Sequence, residues 1–163
     1  MTEDRASAHR RLGRWLYPGG RPNRLARALN RLSVLQVGAG LLPERVVTLE
    51  VPGRVSGRTV SFPLVAVEQD GATYLVAMLG CRTNWVCNVA ANGGRAVLRR
   101  RRGGPVDVEL REVDVADRAP ILRRFLALAP GARPHVAVDR HAPLAEFARI
   151  APDHPVFEVV KKV

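Results

Sequence analysis

A chain of 163 residues, 47% hydrophobic and 25% charged, can bury roughly 68–70% of its unfolded surface in a core of its own, which excludes the disordered and membrane-spanning classes. Its two cysteines, Cys81 and Cys87, stand apart from any histidine at metal-ligand spacing, so a zinc site and a disulfide scaffold are excluded and free thiols in a reducing compartment are expected. The net charge of +11 comes almost wholly from arginine, Lys161 and Lys162 being the only lysines; aromatics are 5% of the chain, too few for the base-stacking platform of a single-strand binder, so nucleic acid is not the expected partner.

The chain opens Met1-Thr2-Glu3-Asp4, acidic where a secretory leader is basic, and its apolar run Val34 to Leu42 is too short to cross a bilayer. A cytoplasmic protein is expected. Residues 1–43 read as an Arg-rich helical segment, in which Pro22 opens a helix with Leu25, Ala28, Leu29, Leu32 and Leu35 on one face and Arg24, Arg27 and Arg31 on another. Such a helix either covers one end of the core with a solvated face or meets an acidic cofactor tail or an anionic membrane surface.

Residues 44–163 read as a second unit, built mainly from strands. Val46, Val47, Leu49 and Val51 form a strand that stops at Pro52-Gly53; Thr59 to Val67 follows, and Gln69-Asp70-Gly71 turns the chain into Thr73 to Met78. Thr83 or Asn84 caps a short helix that runs to about Ala91 and stops at Asn92-Gly93-Gly94. Arg95 to Arg101 and Val106 to Val113 are strands joined across Gly103-Gly104-Pro105. Ala119-Pro120 opens a helix ended by Pro130-Gly131, Pro143 to Ile150 is a further helix, and Pro155 to Val160 is a closing strand. About six strands with few crossover helices predict a small closed or half-closed barrel with flanking helices rather than a doubly wound sheet.

Gly53-Arg54-Val55-Ser56-Gly57-Arg58 joins two strands. Its glycines supply positive φ, and its backbone N–H groups and two guanidiniums suit a phosphate or carboxylate, although solvated arginines on an ordinary hairpin fit the same letters. No G-x-G-x-x-G, G-x-x-x-x-G-K-[ST] or G-x-S-x-G occurs, which argues against Rossmann, P-loop and serine-hydrolase chemistry. The Arg99 to Arg102 run is expected to be neutralised in part by Asp107 and Glu109 on the facing strand. His9, His135, His141 and His154 form no i, i+4 pair, so no metal site is expected.

Taken in order, Gly53-Arg54-x-Ser56-Gly57-Arg58, Pro63-Leu64, Val76-Ala77-x-x-Gly80, Asn84-Trp85-Val86-x-Asn88-Val89-x-Ala91 and His154-Pro155-Val156-Phe157 resemble the signature of the deazaflavin (coenzyme F420)-dependent nitroreductase and quinone reductase family, over roughly residues 44–160. The resemblance implies an FMN-binding-like split β-barrel and an oxidoreductase that passes hydride from reduced F420 to a quinone, nitro or enone-type acceptor. Carried over residue by residue, it places Arg54, Val55, Ser56 and Arg58 at the phosphate and carboxylate end of F420. It sets Phe62, Pro63, Leu64, Met78, Leu79 and Gly80 along the ring, and Asn84, Val86 and Asn88 beside Trp85 on the bordering helix. Val86 stands where many relatives have tyrosine, and the chain has only Tyr17 and Tyr74, so no catalytic side chain is assigned. FMN in the same barrel, or a flavin-binding module without turnover, are the alternatives.

Overall fold

The structure, a computed structural model, describes residues 44–162; the Arg-rich segment 1–43, with the helix expected after Pro22 and Tyr17, lies outside the described residues. Six antiparallel strands close into a barrel in the order β1-β2-β3-β6-β5-β4. They are β1 Val46–Pro52, β2 Thr59–Gln69, β3 Ala72–Val76, β4 Arg95–Arg99, β5 Val106–Glu112 and β6 Val156–Lys161. Three helices flank them: α1 Asn84–Ala91, α2 Arg118–Leu128 and α3 Leu144–Ile150.

Alternation of side chains along each strand divides the apolar residues between two cores. Val47, Leu49, Val51, Ala66, Leu75, Leu98, Val108 and Leu110 point into the barrel, whose end α1 plugs with Trp85, Val86 and Val89. Val67, Val76 and Val156 take the other face and pack against Ile121, Leu122, Phe125 and Leu126 of α2 and Phe147 of α3. At roughly 1.5–3 kcal/mol for each fully buried Val, Leu or Phe, these two layers account for most of the drive to fold.

Local chemistry sets the ends. Asp70 (φ 51°) and Gly71 (φ 79°) make the β2–β3 hairpin turn that this dipeptide favours. Asn92 and Gly93 (φ 62°) stop α1, with Gly94 N–H donating to Val89 O at 3.0 Å, the longer bond of a Schellman stop. A Cβ at Gly94 would lie 3.0 Å from Leu110 O, so glycine also admits β5 beside the helix end. Arg118, buried at the start of α2, donates through Nε to Val113 O (2.8 Å), through Nη1 to Ala151 O (3.2 Å) and through Nη2 to Glu112 Oε1 (2.8 Å). It ties α2 to the end of β5 and to the 3-10 turn Ala151–Asp153 before β6.

Three expectations change. The third strand ends at Val76 rather than Met78: Ala77 N–H still donates to Pro155 O at 2.8 Å, but Pro155 has no N–H to return the bond, and the chain then turns through Met78 and Leu79. The arginine run is not neutralised by Asp107 and Glu109. Barrel closure brings acids of other elements to it instead: Arg99 pairs with Glu50 (2.7 Å), Arg100 with Glu68 (2.9 Å) and Arg102 with Glu44 (3.8 Å), while Glu109 pairs with Arg111. Neither Thr83 nor Asn84 caps α1 with its side chain; Thr83 is extended at the N-cap position and its hydroxyl donates backwards to Gly80 O at 3.0 Å.

Candidate functional site

The Gly53–Arg58 hairpin folds on itself: Gly53 N–H donates to Arg58 O and Gly57 N–H to Gly53 O, both at 2.8 Å. Gly57 has φ 67°, and a Cβ at Gly53 would meet Ser56 Oγ at 3.0 Å and Arg58 O at 3.3 Å, so both glycines are needed for so tight a loop. Ser56 Oγ accepts from Arg58 N–H at 3.3 Å. Arg54, Val55, Ser56 and Arg58 are all exposed, Val55 at 93%. Among the described residues neither Arg54 nor Arg58 has an acidic partner, which leaves two cationic side chains on one rigid loop.

The loop is fastened to α1 through a single buried side chain. Asn88 (4% exposed) accepts at Oδ1 from Arg54 N–H at 3.2 Å and from Arg54 Nη1 at 2.9 Å. One helical turn earlier, Trp85 packs edge-on against Phe157, with ring centroids 5.3 Å apart and an interplanar angle of 67°. It is buried in the barrel core and also reaches an adjoining cavity. Because Thr83 turns its hydroxyl away, the first-turn N–H groups of α1 carry no side-chain cap at the cavity edge.

That cavity, about 560 Å³, is of the size that small ligands occupy. Its walls come from β1 and β2 (Arg45, Val46, Phe62, Pro63, Leu64, Val65), from the turn after β3 (Val76, Met78, Leu79), from the start of α1 (Thr83, Asn84, Trp85) and from the end of α2 and the turn after it (Phe125, Leu128, Ala129, Pro130, Gly131, Ala132). The lining is mainly apolar, and among the described residues Arg45 is its only ionisable member. Tyr74 does not belong to it; burial, then the carboxylates of Glu158, Asp70 and Asp117, raise its pKa and keep it a neutral phenol.

Of the residues expected at the site, Phe62, Pro63, Leu64, Met78, Leu79, Asn84 and Trp85 line this cavity. Arg54, Val55, Ser56 and Arg58 form the separate cationic loop, and Asn88 connects the two. Val86 faces the barrel core. Gly80 (φ 87°) closes the Met78–Leu79 turn by donating to Ala77 O at 3.0 Å. Sequence reasoning missed Arg45, Thr83 and the whole α2 wall. Pro130-Gly131 signalled a helix stop, and nothing in the apolar period of α2 separates a cavity wall from a core face.

No curated protein matches this chain. A protein of unknown function from Agrobacterium tumefaciens shares its fold, with a TM-score of 0.53 at 16% identity over 82% of this chain and 55% of the other, so this chain spans about half the length of that relative. An F420-H2 dependent reductase (FDR-A) superposes with a TM-score of 0.45 at 28% identity, over 72% of this chain and 96% of that one. A FAD-binding protein from Mesorhizobium loti does so with a TM-score of 0.47 at 17% identity, over 81% and 89% of the two chains. Residues 23–145, well over half of the sequence, match the model of the F420H(2)-dependent quinone reductases, and the chain therefore belongs to that family of split-barrel, coenzyme F420-dependent oxidoreductases.

Proposed function

We propose that this chain transfers hydride from reduced coenzyme F420 to a quinone-type organic acceptor, with the deazaflavin ring in the cavity beside Trp85 and the anionic tail on the Gly53–Arg58 loop. One observation carries the reading: the Asn88 side chain joins a cationic loop without acidic partners among the described residues to the helix whose first turn edges a mainly apolar cavity. The group and the residues fit. A planar ring matches walls of Phe62, Pro63, Leu64 and Trp85, the uncapped amides of α1 offer donors to a carbonyl at the ring edge, and Arg54 and Arg58 offer charge-assisted bonds to phosphate and carboxylate. FMN has a single phosphate, so a two-arginine loop favours the more highly charged tail of F420.

Reduced F420, when bound, supplies the hydride, so the chain itself needs no nucleophile or metal. Its own work is to bind, to orient and to exclude water. The cavity walls fix the plane of the ring, the α2 end with Pro130, Gly131 and Ala132 supplies a further wall, and the low polarity of the lining strengthens each polar contact made there. Quinone, nitroaromatic and enone acceptors share a flat electrophilic surface that such walls accommodate. The protein is further proposed to be cytoplasmic, with residues 1–43 making peripheral contact with anionic membrane. Among the described residues no helix is long and apolar enough to cross a bilayer.

The test is anaerobic oxidation of reduced F420 by menadione. The reading predicts a rate that saturates with menadione and greatly exceeds the protein-free rate. No acceleration with quinone, nitro and enone acceptors alike, in protein that has bound F420, would overturn it.

A further inference from the structure

Among the described residues Arg45 is the one ionisable member of the cavity wall, and strand register fixes where it stands. β1 and β2 pair from Pro52 and Thr59, beside the Gly53–Arg58 loop, to Val46 and Val65 at the opposite end. The lining follows the same direction along β2, from Phe62 to Val65, and Arg45 comes one residue beyond Val46. Its carbonyl accepts from Ala66 N–H at 2.8 Å, which prolongs the ladder and holds the backbone there. From Arg45 to Gly53 the strand covers roughly 25 Å at about 3.3 Å per residue. Cationic side chains therefore stand at both ends of this strand pair, with the Phe62–Val65 wall between them. Arg45 is exposed, which puts its charge at the edge of the cavity rather than in the interior. The adjacent acid, Glu44, is engaged by Arg102 at 3.8 Å, and among the described residues no carboxylate pairs with Arg45.

We propose that Arg45 selects the acceptor: the quinone-type molecule reduced in this cavity carries an anionic substituent, a carboxylate or sulfonate, that meets the Arg45 guanidinium while its flat ring lies on the apolar wall. The inference rests on the reading of that cavity as the ring site of reduced F420. That reading sets the cofactor's anionic tail on the Gly53–Arg58 loop, a strand's length away, and leaves Arg45 to the second molecule. The apolar wall of Phe62, Pro63, Leu64 and Val65 distinguishes poorly between flat acceptors, because apolar burial has no direction. A single cation at its end adds a preference for one charge and fixes which way round the ring lies. Since Arg45 is exposed, water and salt screen it, so the preference is modest and shrinks as ionic strength rises. The quinone takes up a hydride and a proton and leaves as hydroquinone, F420 is left oxidised, and the anionic substituent takes no part in the bond changes.

The experiment compares two acceptors that differ by one charge, menadione carrying a propionate side chain on its quinone ring and the methyl ester of the same compound, with reduced F420 under anaerobic conditions. For the full chain as wild type, Arg45→Met and Arg45→Lys, kcat/KM is measured at low and high salt, and the Kd for F420 by fluorescence alongside. Wild type should favour the propionate at low salt and less so at high salt. Arg45→Met should lower kcat/KM for the propionate roughly ten-fold, about the worth of one exposed charge-assisted bond, and for the ester by less than about two-fold. Arg45→Lys keeps the charge and should retain most of the preference, and both variants should bind F420 close to the wild-type Kd. A wild type that favours the ester, or an Arg45→Met that lowers both acceptors alike or neither, overturns the inference while the cavity reading stands. A loss of F420 affinity in Arg45→Met assigns the cation to the cofactor and overturns it as well. A wild type that binds F420 and reduces neither acceptor removes the functional reading itself, and the inference with it.

Discussion

The contact that joins the loop to the cavity is Asn88, and replacing it separates anchoring from charge. In Asn88→Ala two hydrogen bonds to Arg54 disappear, one from the amide at 3.2 Å and one from the guanidinium at 2.9 Å. A neutral bond contributes about 0.5–1.5 kcal/mol and a charged one about 1.5–3 kcal/mol, the latter reduced because Arg54 is exposed, so the expected loss of stability is about 2 kcal/mol. F420 must then reorder the loop on binding, and its Kd should rise roughly ten-fold. Asn88→Asp keeps an acceptor at the same place. It should melt near wild type, yet its carboxylate beside Arg54 cancels the charge that the tail needs, so affinity should fall as far as in Arg54→Ala, by roughly 10–100-fold. The assays are thermal unfolding by circular dichroism and equilibrium titration with F420, at low and high salt. Wild-type affinity in Asn88→Asp would refute the reasoning, because a neutralised loop would then bind as well as a charged one.

Arg118→Met removes three bonds and leaves the Val113 and Ala151 carbonyls without their donor; it should cost about 3 kcal/mol in chemical denaturation, with cofactor affinity nearly unchanged in the folded fraction. Gly131 lines the cavity, has no positive φ, and a Cβ built on it meets nothing within 4 Å. Gly131→Leu should therefore fill the mouth with stability changed by less than about 0.5 kcal/mol, and raise the KM for menadione several-fold. His135 and His154 are both held below the ordinary 6.5 by burial. Each is neutral in the folded chain while the unfolded chain takes up its proton first, so stability is complete above pH 6.5 and declines as pH falls through the depressed folded values, which urea unfolding between pH 5 and 8 checks.

What was legible followed from short-range rules. Asp70-Gly71 announced a hairpin because two consecutive left-handed residues are costly for most other pairs. The strands showed themselves by alternation, and the order of the Gly53, Pro63, Gly80 and Trp85 motifs pointed to the family. What was not legible depended on how the barrel closes. Glu50, Glu68 and Glu44 meet the Arg99–Arg102 run only because β4 lies beside β1 and the β2 end reaches the same rim. Met78 extends the apolar pattern of β3, but the partner of Ala77 is Pro155, far along the chain. Asn88 reads as a polar residue on a helix, and its bond to Arg54 spans 34 positions. Trp85 belongs to a motif of the family signature, and the structure gives its ring to the barrel core and to the cavity wall together. The α2 end is invisible for a related reason, since a periodic apolar face does not reveal whether a side chain or a ligand will cover it.

The most direct measurement of the central claim is an equilibrium F420 titration of wild type and of the Arg54→Ala, Arg58→Ala double variant, with FMN as competitor. The account predicts that wild type prefers F420 to FMN, that the double variant loses at least ten-fold in F420 affinity, about 1.4 kcal/mol, and that its affinity for FMN falls less. Equal F420 affinity in the two proteins, or a wild type that prefers FMN, would contradict it.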